Sequence, residues 1–536
     1  MNPARTVAAP RAARAPLAAG LAATVAVLTG CATVRVPVPE TPAEVAAALE
    51  RARDTSVFGP AADFEGSGLA DVGKVGLYPV RDPSQCEVAV LASGEGSFTT
   101  RLHLLKSARR SIRIQALEFH GDESGQRIAE ILKQKKAEGL DVRVIVDGVS
   151  NLPSLQAQWM YFDLKQHGIE VEGYESLGLQ WINEVPVPLL MPHYDPERPN
   201  KRFHEKLWLV DAETPEGAAV TGGLNVGNAY FRADPGNPKE YWRDQDVAVR
   251  GVVLQDLVAA FERTFDYLVA IKRSRGIFNT NLYWDATRGV LDKTGKLKVS
   301  YKARPPLVER VATLEAAYSP PEYRPSRCRF LHNRPRFEET YILQAYLKLI
   351  AAAQREVLIA NAYLVPTPAI AAALRAAAQR CVRVRLLTNS PDTNDLPEIS
   401  LVGRGHYREL LAVNETPEVA ACGDAQAGIR IWEWIGHRPG DPVRQGTMHS
   451  KFAVFDRRAA FVGSYNLDPR SERLNSETGL VFDEPALAER LARAFIDDDL
   501  RFSRQIAAEE AASFESPRDI VTRYRGKIGS LFEQQL

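Results

Sequence analysis

Three things are scarce in this chain: an excess of charge of either sign, cysteine, and long apolar runs. Lys plus Arg and Asp plus Glu number 67 each among 536 residues, for a formal net charge of zero. No overall positive field draws such a chain onto nucleic acid, and no nucleic-acid partner is expected. The five cysteines, Cys31, Cys86, Cys328, Cys381 and Cys422, are too widely spaced for the paired ligands of a structural zinc site. Leaving Cys31 aside, the other four allow three full disulfide connectivities or four buried thiols, and their spacing does not choose. After residue 30 no segment holds about 18 consecutive apolar residues, so nothing there reads as a membrane span. What is present is 45% hydrophobic and 25% charged residues, the make-up of a globular protein with two or more cores.

The first thirty residues differ from the rest. Arg5, Arg11 and Arg14 precede an Ala/Leu/Val run from Leu17 to Leu28, with no acidic residue, which is the pattern of a secretory leader. The run ends in Leu28-Thr29-Gly30-Cys31, which resembles the lipobox of bacterial lipoproteins. That resemblance implies acylation of Cys31, and Ala32 in place of Asp resembles the context for delivery to the outer membrane. The expectation is a lipid-anchored protein at the periplasmic face of the outer membrane, held by about 0.8 kcal/mol per buried methylene. An uncleaved anchor helix is the alternative, though the run is short for a span. Loss of the three arginines leaves 64 basic against 67 acidic residues, a net charge of about −3.

The remainder is written twice. The strand-like stretch Ser111 to Phe119, a helix opening at Gly125, and a second strand, Val142 to Val146, recur as Glu356 to Tyr363, an Ala/Leu helix from Pro368 to Gln379, and Val382 to Leu387. Gly168-Ile169-Glu170-Val171 matches Gly428-Ile429-Arg430-Ile431 in the same order. The first strands begin at Ser111 and Glu356 and the motif histidines stand at 204 and 449, both 245 residues apart. Equal offsets across loops of unequal length predict two similar α/β domains in tandem. The expected division is a leader over 1–30, a tether and extension over 31–95, a first domain over 96–275, an exposed Pro- and Arg-rich connector over 276–340, and a second domain with its tail over 341–536.

Each domain closes on one short motif. The first is His204-Glu205-Lys206 with Asp211, then Gly222-Gly223-Leu224-Asn225; the second is His449-Ser450-Lys451 with Asp456, then Gly463-Ser464-Tyr465-Asn466. Side chains alternate along an extended strand, so each histidine shares a face with its lysine, a nucleophile or acid beside a fixed positive charge. Asn225 and Asn466, with Ser464, supply donors suited to phosphoryl oxygens. Asp211 and Asp456 lie an odd number of residues from the histidines, which favours a structural role at the turn.

Two copies of H-x-K-x4-D, each with its Gly/Asn tail, resemble the phospholipase D superfamily, over roughly Phe98 to Phe502. The resemblance implies two pseudo-symmetric α/β domains, each a mixed sheet flanked by helices, with one active site at their interface. It implies catalysis by His204, Lys206, Asp211, His449, Lys451 and Asp456 without metal or other cofactor, the lysines supplying the charge. By analogy His204 is the nucleophile that forms a phosphohistidine and His449 the acid/base, an order the pseudo-symmetry allows to be reversed. Asp246 and Glu477 are expected to orient the histidine rings, Glu477 standing 28 residues after His449. His193, in the loop before the first motif, is a further candidate for the cleft.

Tyr363-Leu364-Val365-Pro366-Thr367, Leu387-Thr388-Asn389-Ser390, and the run from Gly463 to Ser471 with Asn475-Ser476-Glu477 resemble bacterial cardiolipin synthases of the type without two N-terminal membrane helices. The reaction this implies is transphosphatidylation between phospholipids at a membrane surface. Glu205, where those enzymes usually carry a small or amide residue, departs from the pattern and leaves hydrolysis to phosphatidic acid, or a secreted phosphodiesterase or nuclease activity, as alternatives.

Overall fold

The computed structural model describes residues 38–64, 76–147, 150–151, 154–174, 202–234, 240–274, 303–438 and 445–520. The leader, Cys31 and His193 lie outside them.

Sixteen strands among these residues build two eight-stranded sheets. The first sheet uses β1 (Glu87–Leu91), β2 (Ser111–Ala116), β3 (Asp141–Asp147), β4 (Glu170–Tyr174), β5 (Leu207–Val210), β6 (Ala218–Gly222), β7 (Asp246–Arg250) and β8 (Arg324–Pro325). The second uses β9 (Arg327–Asn333), β10 (Glu356–Asn361), β11 (Arg383–Asn389), β12 (Gly428–Trp434), β13 (Lys451–Phe455), β14 (Ala459–Gly463), β15 (Glu477–Asp483) and β16 (Ser503–Gln505). Their orders are β4-β3-β2-β5-β6-β7-β1-β8 and β16-β12-β11-β10-β13-β14-β15-β9. In each, the three strands of the repeated unit are parallel, joined by crossover helices, and the strands around the histidine motif run antiparallel beside them. The mixed α/β character expected of each half is therefore present in both.

Alternation along the strands assembles the two halves. Leu207 and Leu209 of β5, Phe452 and Val454 of β13, and Leu358 and Ala360 of β10 enter one core shared by both sheets. Their neighbours turn the other way: Trp208 and Val210 meet the helices of the first domain, and Val357, Ile359, Ala453 and Phe455 those of the second. A period of two thus gives each strand one face for its own helices and one for the partner sheet. Each fully buried aliphatic side chain contributes about 1.5–3 kcal/mol to holding that arrangement.

The segments read as tether and linker are part of this framework. β1 lies upstream of residue 96 yet pairs with β7 over five residues, and the helix Pro42–Asp54 buries Val45, Ala48 and Ala52 against the second domain. The connector is not an exposed linker within its described part. It forms the helix Pro305–Ala316, then β8 on the first sheet and β9 on the second. Two of its arginines are engaged internally: Arg329 donates to the Tyr78 and Val57 carbonyls and Arg334 pairs with Glu339, leaving both buried. Of the connectivities left open, the structure contains Cys86–Cys328, which ties the residue before β1 to β9 across the two sheets, and Cys381–Cys422 within the second domain.

Candidate active site

The two histidines meet at the seam between the sheets. His204 precedes β5 and His449 precedes β13, and each segment is pinned to the opposite domain by backbone hydrogen bonds. The His204 amide donates to the Ser476 carbonyl at 3.0 Å, and the His449 amide donates to the Arg243 carbonyl at 2.7 Å. The carboxylates follow the same exchange. Nδ1 of His204 lies 2.8 Å from Glu477 of the second domain, and Nδ1 of His449 lies 2.8 Å from Asp244 of the first. With Nδ1 engaged, each ring presents Nε2, and the contact fixes its orientation.

Asp244, not Asp246, is the acid on His449. Asp246 opens β7 and is buried against Arg101, whose Nη1 lies 2.8 Å away, with Ser97 donating to the same oxygen. The correct residue follows from matching the buried alternation of β7 to that of β15. Val247 and Val249 face the shared core, as do Leu480 and Phe482, and this register sets Asp244 on Glu477 and Asp246 on Gly479. Gly223 is needed here, because a Cβ on it would lie 2.5 Å from the Asp244 carboxylate oxygens. At the matching place the second domain has Ser464. Its hydroxyl does not face a phosphate position: it donates to Glu477, as does the Ser471 hydroxyl at 2.9 Å.

Both lysines are buried, and each donates to the carbonyl of its own histidine at 2.6 Å, which leaves two N–H groups on each ammonium. Burial, with the charges of both lysines, holds the His204 and His449 imidazoles well below their ordinary value, which favours the neutral rings. Burial also lowers Lys206 to about 7 and Lys451 to about 8, and raises Asp244 and Glu477 to about 8. Two cations and two carboxylates in one desolvated cluster are balanced against each other, and a bound phosphodiester anion tips the lysines toward their charged form.

The two asparagines of the motif differ. Asn225 donates its amide to the Tyr230 hydroxyl at 2.8 Å and lies near Glu118, so the donor expected to meet phosphate is already engaged. Asn466 is buried with its carbonyl oxygen unpartnered among the described residues. Asp211 and Asp456 stand away from the histidines, at the opposite ends of β5 and β13. Each sits at positive φ, 48° and 53°, and each carboxylate accepts three consecutive backbone amides, from Arg109 to Ser111 and from Gln354 to Glu356. They lock the turn onto the first strand of the repeat and do not reach the reacting atoms.

Glu205, Tyr230 and Trp242 also stand around the motif residues, and the last two carry no sequence signal of their own. Glu205 is buried between His332 Nε2 at 2.8 Å and Gln115 Nε2 at 2.7 Å, facing away from its neighbouring histidine and lysine. Its departure from the usual small residue therefore concerns the seam between domains. Trp242 and Tyr230 pack on the His449 ring with centroids 4.9 and 5.5 Å apart. Tyr230 could have been found only by pairing the helix after Asn225 with Ser471 in the second copy.

A family profile described as "Cardiolipin synthase, PLD-like domain" matches residues 102–265 and 346–499, more than half of the chain. Probable cardiolipin synthase YwiE of Bacillus subtilis is 24% identical over 424 residues, 79% of this chain and 68% of that protein. Cardiolipin synthase A of Pseudomonas fluorescens is 27% identical over 447 residues, 83% of this chain and 74% of that one. The crystal structure of phosphatidylserine synthase from Haemophilus influenzae shares the fold, with a TM-score of 0.55 at 16% identity over 86% of this chain and 97% of the other. Two matched domains, each closing on its own histidine and lysine at one seam, place this chain in the phospholipase D-like family.

Proposed function

We propose that the chain is a phospholipid phosphatidyltransferase that joins two phosphatidyl units, a cardiolipin synthase, working through a phosphohistidine. The observation that carries this reading is the exchange of acids across the seam: each imidazole is held at Nδ1 by the other domain, leaving two Nε2 atoms and two lysines for one phosphodiester.

In the first step the Nδ1–H of His204 donates to Glu477 and the Nε2 lone pair attacks phosphorus. The bond to the headgroup oxygen breaks and His449, cationic against Asp244 once the phosphate anion is bound, gives that oxygen its proton. Lys206 and Lys451 hold the non-bridging oxygens as charge develops. In the second step neutral His449 takes the proton of an incoming lipid hydroxyl, whose oxygen attacks phosphorus and releases His204. A lipid alcohol in place of water makes the outcome transfer, and an anchor on Cys31 in the outer membrane would keep both substrates at hand.

The test is mass spectrometry of lipids after incubation of wild type and His204→Ala with phosphatidylglycerol vesicles, with and without phosphatidylethanolamine. Cardiolipin and glycerol from the wild type alone support the reading. Phosphatidic acid alone makes the protein a hydrolase, and no lipid turnover under either condition removes the lipid reading.

A further inference from the structure

Glu118 stands just after β2, at the place held by Tyr363 in the second copy, both 245 residues apart like the motif histidines. One of its oxygens, Oε2, accepts from the Tyr230 hydroxyl at 3.0 Å and from His120 Nε2 at 3.2 Å, with the Asn225 amide at 3.5 Å. The other, Oε1, accepts no hydrogen bond among the described residues, and the side chain is 28% exposed. Tyr230 links it to the reacting centre, because the same ring packs edge-on against His449. The Glu118 charge is also felt at Lys206 and His204.

A carboxylate so near the cleft repels a phosphodiester and accepts only from a donor. Three donors orient it, one oxygen is left over, and the histidine beside it determines which donor suits. Against the lowering effect of burial, the Glu118 carboxylate holds the His120 imidazole above its ordinary value. A proton on that ring offsets the carboxylate charge, and the free oxygen then suits a neutral hydroxyl better than an ammonium group.

Building on the transferase reading, we propose that Glu118 is a specificity-determining residue that accepts a hydrogen bond from a second, non-reacting hydroxyl of the alcohol leaving or entering beside His449. The class of alcohol is a polyol, such as a glycerol headgroup. The reacting hydroxyl goes to His449 and its neighbour on the same carbon chain goes to Oε1, which a simple monoalcohol lacks.

Competition tests this, because a ratio of products does not depend on total turnover. A short-chain phosphatidylglycerol donor is incubated with equimolar deuterated glycerol and ethanol, and the two phosphatidyl products are counted by mass spectrometry. Wild type favours glycerol, and Glu118→Leu lowers the glycerol-to-ethanol product ratio about tenfold. In a second mixture, of equimolar deuterated glycerol and ethanolamine, His120→Asn, which removes the ring able to carry the offsetting proton, raises the ethanolamine product relative to the glycerol product. An unchanged ratio in active Glu118→Leu overturns the proposal. If that variant is inactive or unfolded, His120→Asn decides alone, and an unchanged ethanolamine-to-glycerol ratio overturns it. Absence of any transfer product from wild type falls instead on the transferase reading.

Discussion

Asp244 and Asp246 stand two residues apart in one extended stretch and hold different partners, His449 for one and Arg101 for the other. Their asparagine variants should separate accordingly. Asp244→Asn leaves the fold intact but removes the acid that sets the tautomer and supports the imidazolium, lowering kcat by about 10²–10⁴-fold. Asp246→Asn leaves Arg101 buried without its counter-charge and costs about 3–5 kcal/mol of stability. Turnover and thermal melting on both variants check the pair. The depressed imidazoles predict an acid limb of the rate profile below pH 6.5, since the rate falls as His204 gains a proton. Lys206→Met removes a repelling charge, raises the His204 value and moves that limb upward, measurable in residual turnover or by imidazole NMR. Glu477 was legible from its distance to His449, whereas the acid on His449 was not, because two aspartates of equal strand parity compete and only buried register separates them.

At the scale of the element, the repeated strand, helix, strand unit was readable because β2, β3, β10 and β11 each carry several buried aliphatic residues and recur in the same order at a nearly constant offset. β1, β8 and β9 were not, because they lie in Pro- and Arg-rich surroundings and gain their place only by pairing with distant strands. The turn aspartates show the same dependence on partners. Their parity in the strand already pointed away from the histidines, but their targets are backbone amides about a hundred residues earlier. Asp456→Ala should therefore cost about 1–3 kcal/mol in urea denaturation, with kcat changed far less than by Asp244→Asn. A loss of kcat as large as that of Asp244→Asn, in a fully folded variant, would return Asp456 to the reacting centre.

Across the whole molecule, the site exists only where the halves meet. Each histidine depends on the other domain for its acid and for a backbone hydrogen bond, so separation of the sheets dismantles both reacting groups together. Cys86–Cys328 spans 242 residues and links the start of β1 in one sheet to β9 in the other. Replacing both cysteines by alanine should lower stability by about 2–5 kcal/mol, read as a fall in melting temperature. Spacing alone did not select this pairing, because it depends on β1 and β9 lying together at the seam.

The most direct test of the account is to trap the covalent intermediate. A phosphatidyl p-nitrophenyl ester has a leaving group that needs no acid, so His449→Asn should release about one equivalent of p-nitrophenol in a burst and then stall for want of a base. Peptide mapping under alkaline conditions, where phosphohistidine survives, should find the phosphatidyl group on His204. A stoichiometric burst with the adduct on His204 is the predicted result. Steady turnover with no adduct, or an adduct on any other residue, would contradict the account.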